Sequence, residues 1–322
     1  MSNTVAVVKQ GETLLGVVVG GGDVSSPAVP DDGTIALQIA NRIYQGVDLT
    51  VKHAEEIAAT AGADQVEKQW NWIHERIQAV NWQGINIGDW IPLTLSDNTF
   101  FEMQVAGIDT YYRYGDTDVP HHIDFISRDC HPTTVQWNKV DYNNGLSTNS
   151  SPWLCSDLYH RLNSLSGNVP NATTANPATT AVDYTATGIL DKLPSSVKGL
   201  IIEKRLLVPN RYTSGSLLLE DTWSSYYNVG KLWLPYVREV FDAPAVEFAT
   251  VTMLYAGFVQ YPLFANNMNK IKGDYYGDRT EWWLASVRGG SSSAGSAVTY
   301  GGHTGSPNVS ALRRVPLCFR IA

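Results

Sequence analysis

The chain has 322 residues, of which 43% are hydrophobic, 11% aromatic and only 17% charged. That leaves room for one large domain or two ordinary ones around a real core and excludes a disordered chain, which would be charge-rich and poor in aromatics. The net charge of −8 comes with no dense basic run, since Arg313-Arg314 stands alone, so a nucleic-acid partner is not expected.

Residues 1–33 begin with β-prone valines and continue through Gly20-Gly21-Gly22 into a Pro/Asp/Gly stretch. They read as an extended N-terminal arm or short hairpin followed by a linker, able to pair with a neighbouring sheet edge or with the chain's own. The apolar run Leu14–Val19 is too short to span a bilayer and lacks the flanks of a signal peptide. Membrane insertion is not expected, and synthesis in the cytoplasm is.

Residues 34–87 are expected to be helical. Ile35, Ile39, Ile43 and Val47 recur every four residues behind Thr34, a suitable N-cap. A second helical stretch runs from about His53 to Val80 with Ile57, Ala61, Val66, Trp70, Ile73, Ile77 and Val80 on or near one face, and Gly62 is placed to break it. Such stripes must be buried, against either the downstream domain or a partner subunit.

From Gly88 the texture becomes mixed. Trp90–Leu93 and Phe100–Val105 read as strands about a Ser96-Asp97-Asn98 turn, with a further strand near Ile123–Ser127. Pro152–Ser164 has helical spacing with Ser156 at its start, and the polar stretch 166–183 reads as a solvent-exposed insertion. A short helix is expected near Leu190–Leu193, a strand at Gly199–Ile202, another at Leu232–Leu234 and a short helix at Val237–Phe241. Trp282–Val287 is a strong strand, with at least one of its two tryptophans in the core. A Gly/Ser-rich stretch from Gly289 to Gly305 holds a small strand near Ala297–Tyr300, and Val315–Ile321 alternates as a closing core strand. The class is α+β.

Chemistry-bearing motifs are scarce. Cys130, Cys155 and Cys318 are too few and too scattered for a disulfide framework. Cys130-His131, Cys155 with His160, and His121-His122 match no standard metal spacing, so neither a metal nor another cofactor is expected. GxSxG, GxxxxGK[ST] and HExxH are absent, and no enzymatic activity is expected.

An ordered series of segments runs through the second part of the chain. It comprises Trp153-Leu154-Cys155-Ser156-Asp157-Leu158, Leu190–Pro194, Lys231–Pro235 with Glu239-Val240-Phe241, Tyr261–Phe264, Trp282–Ser286 and Arg314–Ile321. In that order they resemble an uncharacterised domain family common in gut bacteria and their phages. The resemblance spans about residues 88–322 and leaves 1–87 unmatched.

Phage members of that family look like virion structural proteins, and the family is similar to C-type-lectin-like folds, also seen in formylglycine-generating enzymes. The resemblance implies a C-type-lectin-like domain over 88–322, in a virion protein made in the host cytoplasm and held to other virion proteins through residues 1–87. It further implies homo-oligomers and attachment to a host surface glycan or protein, with pure capsid or tail decoration as the alternative. A calcium-dependent sugar site is not expected, because Ser306-Pro307-Asn308 keeps little of the usual loop.

Loops between the final strands form the ligand surface in lectin-like folds, which makes the stretch from Arg288 to Asn308 the candidate site. Arg288, Tyr300, His303 and Asn308 would supply stacking and hydrogen bonds, beside the plainer alternative of a surface loop or subunit contact. On that reading the closing strand pairs with Trp282–Val287, and the Gly/Ser rim stands clear of the core.

Overall fold

The computed structural model describes residues 46–146, 151–171, 179–209, 224–242, 259–274, 277–288 and 291–322, with two strands near the N-terminus. Those strands, β1 (Thr4–Gln10) and β2 (Thr13–Val19), pair antiparallel, so the start of the chain is a hairpin. The following linker and the stripe Ile35–Ile43 lie outside the described residues. Val47, the last member of that stripe, is extended. Its N–H donates to Asp89 Oδ1 at 3.0 Å and its carbonyl accepts from Trp90 N–H at 2.9 Å.

Three helices follow: α1 (Leu49–Lys52), α2 (Ala54–Ala59) and α3 (Gln65–Gln78). Gly62 lies in the break between α2 and α3. Asp64 caps α3 by accepting from Glu67 N–H at 2.8 Å, while Glu67 Oε2 reaches back to Ala63 N–H at 2.8 Å. The stripe on α3 is buried by the downstream sheet: the Trp70 ring lies 5.3 Å from Phe125 and 5.5 Å from Phe319. Two expected members drop out. Ala61 is exposed before α3 begins, and Val80 is 47% exposed at φ 51°, beyond its end.

The main sheet contains β3 (Trp90–Thr94), β4 (Phe100–Ile108) and β5 (Ile123–Cys130). Beyond it α4 (Asp157–Leu162) starts where Ser156 Oγ accepts from Tyr159 N–H at 3.0 Å. The expected solvent-exposed insertion at 166–183 is bounded by paired strands, β6 (Ser166–Pro170) and β7 (Thr179–Asp183); Val169, Pro170 and Val182 are buried and its other described residues are exposed or half-buried. The strand expected at Gly199–Ile202 is shorter, because Gly199 belongs to α5 (Ser195–Leu200) and only β8 (Ile201–Ile202) is extended.

A hairpin of β9 (Arg205–Pro209) and β10 (Ser224–Asn228) comes next, then α6 (Val237–Phe241). Leu232–Leu234 makes a single bridge to Phe319 rather than a strand, since Pro235 brings no N–H to extend a ladder. Two short pairs of residues, β11 (Lys272–Gly273) and β12 (Arg279–Thr280), lead into β13 (Trp282–Val287), β14 (Gly295–Val298), β15 (Thr304–Gly305) and β16 (Pro316–Ile321). The architecture is α+β, mostly sheet with a few short helices.

Two sheets share the core. The larger has the order β3-β4-β5-β16-β8 and the smaller β13-β14-β15. The closing strand therefore pairs with β5 and β8, not with Trp282–Val287, which corrects the expected pairing. Arg314, two residues before β16, forms a parallel bridge to Trp282 of β13. Nor does β16 alternate: all six of its residues are buried, as befits a central strand covered on both faces. Trp282 and Trp283 are both fully buried, and their indole N–H groups donate to the carbonyls of Lys270 (3.0 Å) and Val135 (2.9 Å).

Beneath β16 lies a buried ionic network. Arg320 Nε and Nη2 each donate to an Asp124 carboxylate oxygen at 2.8 Å, and Tyr261 OH donates to Asp124 Oδ2 at 3.0 Å. Lys204 Nζ and Tyr111 OH both donate to Glu239 Oε1 at 2.5 Å, and Lys204 lies 3.8 Å from the Trp233 ring centroid. All four charged side chains are at most 1% exposed. Burial alone would raise the Asp124 pKa, but the Arg320 guanidinium overrides it and holds the carboxyl down at about 2.

His122 borders this network and is fully buried. Its Nδ1–H faces the Pro120 carbonyl at 2.7 Å, leaving Nε2 to accept from Tyr111 N–H at 3.3 Å, a neutral tautomer. Burial, then the Arg320 charge, push its pKa down to about 4 from 6.5. The unfolded chain thus binds a proton before the folded one, and stability falls as pH drops from 6.5 towards 4, by roughly 3 kcal/mol for this group. Urea denaturation across that window should show this slope, and His122→Gln should remove most of it, leaving the smaller slope from His131, whose pKa burial also lowers. An unchanged slope in the variant would count against this assignment.

Candidate functional site

The candidate site is built on the small sheet. β13 and β14 run antiparallel with Trp282 opposite Val298 and Val287 opposite Gly295, and β15 returns with Thr304 opposite Val298. These registers separate the four expected residues. Tyr300 and His303 lie in the turn between β14 and β15, at the Trp282 end. Arg288 and Asn308 lie at the Val287 end, where both flank Ala294: Arg288 N–H donates to its carbonyl at 3.0 Å, and Asn308 forms a bridge with it. The structure brings together two pairs, not one quartet.

The Tyr300 turn is tightly made. Thr299 N–H donates to the His303 carbonyl at 2.8 Å, Gly302 N–H to the Thr299 carbonyl at 2.9 Å, and His303 N–H to Thr299 Oγ1 at 3.2 Å. Gly302 has φ 78°, and a Cβ there would come within 3.1 Å of Ile271 Cγ1. Glycine at this position lets the turn lie against the 3-10 segment Asn267–Lys270. Tyr300 is 57% exposed, His303 is exposed, and Met268 on the neighbouring segment is 52% exposed. The result is a phenol, an imidazole and a thioether presented on ordered backbone, suited to stacking and hydrogen bonding with a ligand face.

The Arg288–Asn308 end is mostly closed by internal bonds. Asn308 Nδ2 donates to Asp141 Oδ2 at 3.1 Å, and Ser310 N–H to Asp141 Oδ1 at 3.2 Å. The fully buried Asn143 clamps the Gly/Ser loop: its Nδ2 donates to the carbonyls of Ser291 (2.7 Å) and Ala294 (2.5 Å), and its own N–H to Ser292 (2.8 Å). The rim is thus only partly displayed. Gly295, Ser296, Ala297 and Val298 are buried, which corrects the expectation that the whole stretch stands clear of the core. Small residues serve here to pack β14 against Trp283, since a Cβ on Gly295 would meet that ring at 3.1 Å.

Asp141 and Asn143 were not singled out in the sequence. The local signal is the turn-forming run Asn143-Asn144-Gly145, but nothing local points across to residues 291–310. Among the described residues no three His, Cys, Asp or Glu are grouped to hold a metal ion, and no helix is long and apolar enough to cross a membrane. All three cysteines are buried and none forms a disulfide, and burial pushes the thiols of Cys130 and Cys155 up to about 12 and about 11. They remain protonated at neutral pH and are poor nucleophiles.

No known protein family, curated protein or solved structure matches the chain.

Removing the clamp tests the division of the site. Asn143→Ala removes the side-chain donor to the Ser291 carbonyl and one of two donors to the Ala294 carbonyl, a cost of about 1–3 kcal/mol. Amide exchange should rise in residues 291–298 while the Tyr300 turn keeps its protection. Uniform loosening of both ends would show that the two pairs form one unit.

Proposed function

We propose that this chain is a non-enzymatic bacteriophage virion protein whose C-terminal α+β region attaches to a host surface. The observation that carries this reading is the Thr299–His303 turn. It holds Tyr300 and His303 outward on hydrogen-bonded backbone, and rigid aromatic display of that kind lowers the entropy lost on binding. The buried Trp282–Trp283 pair supports it, because β13, which pairs with the strand leading into the turn, is tied through both indoles to the carbonyls of Lys270 and Val135.

The receptor is a surface glycan or protein met by Tyr300, His303 and Met268. Anchoring to other virion subunits falls to residues 1–87, and since the α3 stripe is already buried internally, the N-terminal hairpin and exposed side chains such as Val51 (74% exposed) are left for that contact. Many copies on one particle would raise the avidity of a weak individual site.

Labelled full-length protein, applied to an array of bacterial surface polysaccharides and to gut bacterial cells, should bind at least one of them. Tyr300→Ala and His303→Ala should each weaken that binding by about tenfold or more with the melting temperature unchanged, as expected for exposed anchor residues. Full binding by both variants, or none by the natural chain, would defeat the proposal.

A further inference from the structure

A second site, away from the small sheet, lies between β5, α4 and the closing strand. A cavity of about 80 Å³ opens there, several times the space one water needs. Leu158, Leu162, Ile189 and Val315 form an aliphatic wall, and His131, Arg161 and Lys192 bring the polar groups. Thr133 and Thr187, both exposed, stand at its solvent side.

Two of those polar groups are buried donors with no acceptor. His131 is only 7% exposed, and its Nδ1 accepts from Thr133 N–H at 3.1 Å, which places the ring proton on Nε2. Nε2 is buried and has no partner among the described residues, and the same holds for Arg161 Nε. Arg161 is itself positioned: its guanidinium lies over the Tyr184 ring, 4.9 Å from the centroid, and Nη2 points to Tyr184 OH at 3.4 Å. Buried donors rarely stay unsatisfied, because each one left so costs about 1–3 kcal/mol.

The charge balance narrows the ligand. Lys192 is already paired with Asp97 at 2.8 Å, so that pair is neutral. His131 is neutral, which leaves the single positive charge of Arg161. Two free donors and one net positive charge match the two oxygens and single negative charge of a carboxylate. A phosphate would bring more oxygens and charge than these donors satisfy, against a wall of aliphatic side chains.

We propose that this cavity binds a carboxylate carrying a short apolar segment, with His131 Nε2 and Arg161 Nε donating to its oxygens. The carboxylate belongs either to a free small acid or to the acidic group of a larger molecule reaching in past Thr133 and Thr187. This site is independent of the attachment surface proposed above, and its test does not use host cells.

Calorimetric titration of the full chain with sodium butyrate, inorganic phosphate, sodium chloride and a uronic-acid oligosaccharide, at matched ionic strength, tests it. Butyrate or the uronic acid should bind saturably, the first indicating a free acid and the second a tethered one, with phosphate and chloride at least about tenfold weaker. Arg161→Met should reduce carboxylate affinity by about tenfold or more, and Arg161→Lys, which keeps the charge but not the Nε donor, should not restore it. Near-ultraviolet circular dichroism of both variants checks that they fold. Equal affinity for all four solutes, no saturable binding by either carboxylate, or undiminished affinity in a folded Arg161→Met would overturn the proposal.

Discussion

The pairing of Arg320 with Asp124 is the constraint on which the rest of the molecule depends. The two residues are directly opposite in the ladder between β16 and β5 and join through two hydrogen bonds of 2.8 Å. Because β16 is buried on both faces, apolar alternation cannot tell one register from the next, as it does in a half-exposed strand. A slip by one residue would turn the guanidinium to the opposite face, and a slip by two would carry it several ångströms from its partner. Either would leave two charges buried without compensation, at a cost of several kcal/mol. The pair need add nothing to net stability to act in this way. It makes the wrong registers expensive.

The same network transmits that order to the site. Lys204, two residues beyond the Ile202 that pairs with Arg320, bonds to Glu239, so the first turn of α6 is tied to the β8 edge of the main sheet, beside the closing strand. Glu239 Oε2 also accepts from Tyr236 N–H at 2.9 Å, closing the start of that helix. One residue on, Val237 N–H donates to Ser286 Oγ at 3.0 Å, and Ala285 N–H donates to the Pro235 carbonyl at 3.0 Å. These bonds reach β13, the strand that carries the small sheet. A continuous path of short contacts thus runs from the closing strand to the sheet that holds the Tyr300 turn.

Local features of this arrangement were legible in the sequence, and its long-range features were not. Gly62 between two helices, Ser156 before α4 and the Trp282–Val287 strand all follow from spacing, capping or composition within a few residues. Lys204, Glu239, Asp124 and Arg320 look in the sequence like ordinary solvated charges, since only pairing across the fold explains their burial. The four candidate residues were grouped because they are near one another in the chain. Strand register then sent Tyr300 and His303 to one end of the sheet and Arg288 and Asn308 to the other. The cavity beside His131 escaped notice for a related reason, because its lining comes from segments between residues 131 and 315.

Charge is scarce in this chain, at 17% of residues, and part of it lies inside the fold. The charged groups that fix its topology face inward, where low polarity strengthens them and where aromatic rings such as Trp233 and Tyr261 shield the Lys204 ammonium. Glycine and serine around β14 let the strand press against Trp283, so the sheet is thin at that point without being loose. At the Thr299–His303 turn, Tyr300 and His303 stand exposed on backbone held by its own hydrogen bonds. Recognition by few residues is effective when they are held in place before the ligand arrives, and the inward-facing charges, through β16, α6 and β13, hold them there.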